Sequence, residues 1–155
     1  MALNNQQLDV ILKGNVYTKR YFYGSMPACR AVQIPKRRKF TFITNTDNHS
    51  NGGRHWNAWA VDNGKVYFFD SFGRSPMDSS FPHVYKDIVL NFKSFSFFNR
   101  QVQTAGPESF TCGYFCIHFI LNFSIGLDMT DLLKDYTVDT KKNDVIVLNI
   151  IKSII

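Results

Sequence analysis

Two apolar runs joined by Asn63-Gly64 constrain this chain more than any other feature. From Arg54 to Val61 the sequence alternates, with His55, Asn57, Trp59 and Val61 to one side and Trp56, Ala58 and Ala60 to the other; Lys65 to Asp70 is the second run. Asn and Gly both tolerate the positive φ that a tight antiparallel turn demands, so the pattern predicts a β-hairpin. A hairpin sets the start of one strand beside the end of the next. His55 and Asp70 are nearly equidistant from the turn and are expected to lie close, where a carboxylate can hold an imidazole in one tautomer. A strand histidine on its own is more often a satisfied structural residue, so the pairing carries the inference.

The second constraint is the apolar run Tyr114 to Phe123, long enough for a buried helix, with Cys112-Gly113 at its start. Around these two features the remaining elements fall into place. Leu3, Leu8, Ile11 and Leu12 can share one face of a helix over residues 3 to 13. Lys39 to Thr44 alternates as a strand. A helix is expected around His83 to Phe92, a strand across Phe95 to Gln103, and helices near Met129 to Tyr136 and from about Asn143. This is an α+β pattern: one domain over residues 1–155, with a central, mostly antiparallel sheet packed against a central helix that starts at Cys112.

Composition narrows the setting. The 155 residues suffice for one real core, and 45% hydrophobic with 19% charged residues is a globular balance. The 15 Phe and 7 Tyr suit aromatic-rich strands. The start, MALNNQQLDVILKG, has neither a basic n-region nor a long apolar h-region, so no signal peptide is expected. Val145 to Ile155 is interrupted by Asn149 and Lys152 and reads as a packed terminal helix rather than a membrane span. Three cysteines, an odd number, with no secretion signal point to reduced thiols and an intracellular site of action. In that setting the glycosylation patterns Asn48-His49-Ser50 and Asn122-Phe123-Ser124 carry no meaning. The net charge of +6 is densest at Lys36, Arg37, Arg38 and Lys39, which read either as a solvated loop or as a contact for DNA and other polyanions.

Cys112 is the candidate nucleophile. At a helix N-terminus, exposed N–H groups and the positive end of the dipole favour thiolate over thiol, although a lone cysteine before a helix is usually a small apolar residue. Gly113 lets a substrate backbone approach, and the N–H groups here are ready donors to an oxyanion. A zinc site from Cys112, Cys116, His118 and His55 is the weaker alternative, because no second cysteine pair exists. Cys116 and Cys29 read as packing residues, His49 and His83 as surface ones.

Several motifs in order then match one family. Gly52-Gly53-Arg54-His55-Trp56-Asn57-Ala58-Trp59-Ala60, Tyr67-Phe68-Phe69-Asp70-Ser71-Phe72-Gly73, Val102-Gln103, Gly106-Pro107-Glu108-Ser109 and Cys112-Gly113-Tyr114-Phe115-Cys116 resemble the adenain family. These are the adenovirus-type maturation cysteine proteases, with relatives in other viruses and virus-like transposons. The likeness is strongest from about Phe40 to Phe123. It implies Cys112 as nucleophile, His55 as general base and Asp70, where the family often has Glu, as the residue orienting His55. It further implies that Gln103 and the backbone N–H groups of Cys112 and Gly113 form the oxyanion hole. Trp56 with Gly113 would wall a narrow groove for glycine beside the cut bond. Thr104-Ala105 looks like an insertion, which makes Gln101 a second candidate donor. Lys93 to Gln103 lacks the cysteine through which the adenovirus enzyme joins an activating peptide, so no cofactor is required by the sequence. An activating peptide or DNA remains open, without that disulfide link.

The expected function is a cysteine endopeptidase that cuts after glycine-containing sites in viral or virus-like precursor proteins during maturation. It would act in the host nucleus or cytoplasm or packaged in the virion, with no membrane partner. The rivals are a deconjugating protease for ubiquitin-like modifiers and a non-catalytic, basic nucleic-acid-binding module.

Overall fold

The computed structural model describes residues 1–31, 35–46, 55–106 and 109–155. Among them a five-stranded sheet runs in chain order: β1 (Phe22–Pro27), β2 (Lys39–Asn45), β3 (Trp56–Asp62), β4 (Lys65–Phe69) and β5 (Ser94–Phe97). Helix α1 (Asn5–Gly14) precedes it, α2 (Val84–Leu90) lies between β4 and β5, and α3 (Cys112–Ser124), α4 (Met129–Lys134) and α5 (Thr140–Lys152) follow. Arg54, His49 and the rest of residues 47–54, like Pro107-Glu108, lie outside the described residues.

The expected α+β architecture is present, and the hairpin is its centre. β3 pairs antiparallel with both β2 and β4, while β1 and β5 add to the two edges in parallel. Asn63 and Gly64 both take positive φ, at 51° and 85°, as the turn requires. The side-chain alternation of β3 separates two cores. Trp56, Ala58 and Ala60 join Ile43 and Phe69 on the α3 side; Trp59 and Val61 join Phe40, Phe42 and Phe68 on the α2 side. Both faces are buried, so β3 reads as a near-continuous apolar run, and Thr41, Thr44 and Asn45 of β2 are buried beside it. Two alanines on the α3 side keep that surface low, which lets the helix lie directly on the strand. Helix α3 is apolar nearly all round because it is enclosed, with Phe115, Cys116, Ile117 and Ile120 at 0% exposure.

Three elements differ from expectation. β1 has no alternation to betray it: Gly24 interrupts the run and the register slips between Phe22 and Ser25. Its place is fixed from α1, where Asp9 Oδ1 accepts from Ser25 N (2.8 Å) and Ser25 Oγ (2.7 Å). The strand expected over Phe95 to Gln103 stops at Phe97. Beyond it, Val102 N and Gln103 N both donate to Ser71 O, at 2.9 and 3.1 Å, and leave the ladder. Gly73, at φ 77°, allows this: a Cβ there would stand 2.6 Å from the carbonyl carbon of Arg100. Helix α5 begins earlier than expected because Asp139 caps it, accepting from Lys141 N and Lys142 N.

Candidate active site

The β3–β4 register pairs Ala58 with Phe69. Continued by one residue, it sets Asn57, not His55, directly opposite Asp70. His55 is the diagonal neighbour on the same face, still within reach. Its Nε2 lies 2.5 Å from Asp70 Oδ1, and its backbone is pinned by Thr46 N donating to His55 O at 3.0 Å. The Phe72 ring stacks on the imidazole with centroids 5.1 Å apart. Cys112, the first residue of α3 and 7% exposed, lies close enough to His55 to favour its protonated form. The structure thus brings His55, Asp70 and Cys112 together.

Asp70 is fully buried and carries more donors than the pairing alone suggests. Asn57 Nδ2 donates to Oδ1 at 3.1 Å, while Arg74 donates to Oδ2 through its backbone N (3.1 Å) and Nε (2.8 Å). The turn Asp70–Arg74 therefore folds around its own first side chain. Arg74 is seated over the Phe81 ring at 4.3 Å and donates to Ser80 Oγ at 3.1 Å. Burial works against ionisation of Asp70, yet His55 and Arg74 outweigh it and hold the carboxyl below its ordinary range. For His55, burial opposes protonation, and the hydrogen bonds and charges of Asp70 and Cys112 overcome it, raising the imidazole to about 9.

Gln103 is 2% exposed. Its Oε1 accepts from Ser71 Oγ at 2.5 Å, and its Nε2 donates to Ser109 Oγ. Gln103 and Ser109 line a cleft of about 450 Å³ with His55, Phe72, Arg74 and Gly106. Gln101 Nε2 donates to Gln103 O, at 3.1 Å. Trp56 and Gly113 are neighbours, as a Cβ on Gly113 would stand 3.5 Å from Trp56 Cδ1. Leu3 closes on both: its Cβ would be 3.3 Å from that added atom, and its carbonyl accepts from Trp56 Nε1 at 3.0 Å.

Other candidates turn elsewhere. Cys116 donates to Trp56 O at 3.3 Å, and His118 lies between Tyr136 OH and Asp135. Among the described residues no group of three or more His, Cys, Asp or Glu could hold a metal ion. Cys29 and His83 are exposed. Lys36 and Arg37 line a separate hollow with Val61 and Gly64, at the turn end of the hairpin. That end is a strand length, about 20 Å, from His55. The Lys39 ammonium sits over the Tyr21 and Phe123 rings, at 4.7 and 5.1 Å.

Sequence reasoning missed Arg74, Asn57, Phe72 and Leu3. A signal existed for Asn57 alone, as the one polar residue inside the apolar stretch Trp56–Val61.

A thiol, an imidazole and a buried carboxylate in series at a helix N-terminus can form a nucleophilic ion pair. The relatives of the chain are consistent with that chemistry. A family model described as adenovirus endoprotease matches residues 31–140. A thiol protease of Acanthamoeba polyphaga mimivirus is 28% identical over 134 residues, covering 72% of this chain and 43% of the relative. The protease of Porcine adenovirus A serotype 3 is 31% identical over 93 residues, covering 53% and 46%. Among solved structures, an ASFV protease aligns with a TM-score of 0.62 at 15% identity, over 94% of this chain and 66% of that one. The SUMO protease Ulp1 aligns at 0.53 and 14%, over 98% and 78%. These two show the same fold. The chain spans about half the length of the relatives it matches.

Proposed function

The chain belongs to the adenovirus endoprotease family, and from that premise we propose that it is a cysteine endopeptidase with Cys112 as nucleophile, His55 as acid–base and Asp70 as the group orienting His55. The single observation that carries this reading is the series Asp70–His55–Cys112 at the start of a buried helix. His55 holds the proton of Cys112, and the thiolate attacks the carbonyl carbon of the scissile bond. The oxyanion receives the backbone N–H groups of Cys112 and Gly113 and the Gln103 amide, each worth about 3 kcal/mol when well placed. The first N–H groups of a helix have no partner within it and are available for this. His55 then protonates the departing amine, and water releases the acyl-enzyme.

Cleavage follows glycine. The crowding of Leu3 and Trp56 around Gly113 supports a groove that admits bare backbone beside the cut bond. The viral proteases among its relatives support precursor proteins of a virus or virus-like element as substrates, processed during maturation inside the infected cell or the particle. No helix among the described residues is long and apolar enough to cross a membrane. DNA, if it activates the enzyme, binds the basic surface that includes Lys36, Arg37, Arg38 and Lys39 and acts at a distance from the scissile bond.

The test is a peptide-library cleavage profile beside a SUMO-fused reporter, with and without DNA. Wild-type protein should cut after glycine in peptides and form a covalent adduct at Cys112 with an electrophilic glycine peptide. Cys112→Ala should abolish cleavage, a loss on the order of a million-fold, while remaining folded. Retained cleavage in that variant overturns the mechanism; preference for the SUMO fusion transfers the enzyme to modifier processing.

A further inference from the structure

Behind the active site a row of buried polar groups crosses the α2-side core, among Phe40, Phe42, Phe68, Phe81 and Ile88. Trp59 Nε1 donates to Thr44 Oγ1 at 2.9 Å, Thr44 Oγ1 and Tyr85 OH are 2.8 Å apart, and Tyr85 OH donates to Asn57 Oδ1 at 2.8 Å. Asn57 Nδ2 then donates to Asp70 Oδ1 at 3.1 Å. Trp59, Thr44, Tyr85, Asn57 and Asp70 are each 0% exposed.

The two ends dictate every proton between them. The indole of Trp59 can only donate, and an ionised Asp70 can only accept. Thr44 therefore accepts from Trp59 and gives its proton to Tyr85, and Tyr85 gives its own to the Asn57 carbonyl. That leaves the Asn57 NH2 facing Asp70. The reverse orientation of the amide would set two acceptors against each other in a dry interior. Tyr85 keeps its proton because burial drives its phenol far above the ordinary range. Dipoles aligned head to tail in a medium of low dielectric reinforce one another.

We propose that Tyr85 and Asn57 are positioning residues for the reaction: Tyr85 fixes the Asn57 amide, and Asn57 with Arg74 locks the rotation of the Asp70 carboxylate so that Oδ1 faces His55. The inference rests on the Cys112–His55–Asp70 reading above. Asn57 is the direct cross-strand partner of Asp70, so the strand register supplies the contact, and α2 supplies the group that orients it. Arg74 grips the opposite oxygen. With either hold loosened, the carboxylate can swing, and His55 loses the partner that keeps it charged beside Cys112.

The experiment is a double-mutant cycle on the full chain with a glycine-site peptide, reading kcat, KM and the alkaline limb of the pH profile, with folding followed by thermal melting. Tyr85→Phe keeps the ring and removes only the hydroxyl, and with it both of its hydrogen bonds. It should lower kcat about tenfold with KM within about twofold, and shift the alkaline limb to lower pH by about half a unit or more. Asn57→Leu should lose about thirtyfold, and the double variant no more than Asn57→Leu, since Tyr85 acts through Asn57. Should Tyr85→Phe not fold, Thr44→Val probes the next link outward and should give about a threefold loss with the same direction of shift. Wild-type kcat with an unmoved alkaline limb in the folded variant, or losses that multiply in the double variant, overturns the positioning role. A wild-type protein that does not cleave overturns it together with the protease reading, whereas wild-type cleavage with indifferent variants overturns the relay alone.

Discussion

His55, nearly buried, and His118, buried, each have an aspartate in hydrogen-bonding range, yet they are driven in opposite directions. At His55 the partner carboxylate is itself fully desolvated, 2.5 Å away and tied down by Asn57 and Arg74, with Cys112 also close. At His118 the Asp135 side chain is 46% exposed, lies 3.3 Å away, and shares the imidazole with the neutral Tyr136 hydroxyl. Burial penalises the charged form in both. It prevails at His118, which is lowered from 6.5, and is overcome at His55, which rises to about 9. A charge facing water is screened; the same charge enclosed with its partner is not. What marks the reactive histidine is therefore the burial of its carboxylate, more than its own.

The comparison breaks first at Asp70. Asp70→Asn removes the enclosed charge and should turn His55 into a second His118, neutral at pH 7. The expected result is a loss of about a hundredfold or more in kcat with KM little changed; an unchanged rate would place the orienting group elsewhere. The smaller effect lies on the other side. His118→Ala should leave kcat unaltered, because its side chain turns to Tyr136 and Asp135, yet lower unfolding stability by about 2 kcal/mol by opening a cavity and stranding polar partners. A fall in kcat at full stability would show that the two histidines are not separate in function.

The sequence exposes the parts of this site that are local and hides those that depend on docking. Asn63-Gly64 announces the hairpin, and the apolar run after Cys112 announces α3, because turn chemistry and hydrophobic pattern act over short spans. The diagonal relation of His55 to Asp70 needs the true register, since symmetric counting from the turn overlooks Asn57 as the facing residue. Tyr85 could not be joined to Asn57 from sequence, as 28 residues separate them and only the packing of α2 under the sheet brings them together. Arg74 follows Asp70 in a loop whose path is set by Gly73 against Arg100, a contact no periodicity encodes. β1 stayed hidden for the related reason that its anchor, Asp9, is on another element.

The central claim is that His55 stands charged beside a buried carboxylate and Cys112. It is tested most directly by following the ring protons of the histidines by NMR from pH 5 to pH 10, assigned with His55→Ala and His118→Ala. The account predicts that the His55 signal titrates near 9 while that of His118 lies below 6.5. A His55 signal that titrates at or below 6.5, together with His118, would contradict it.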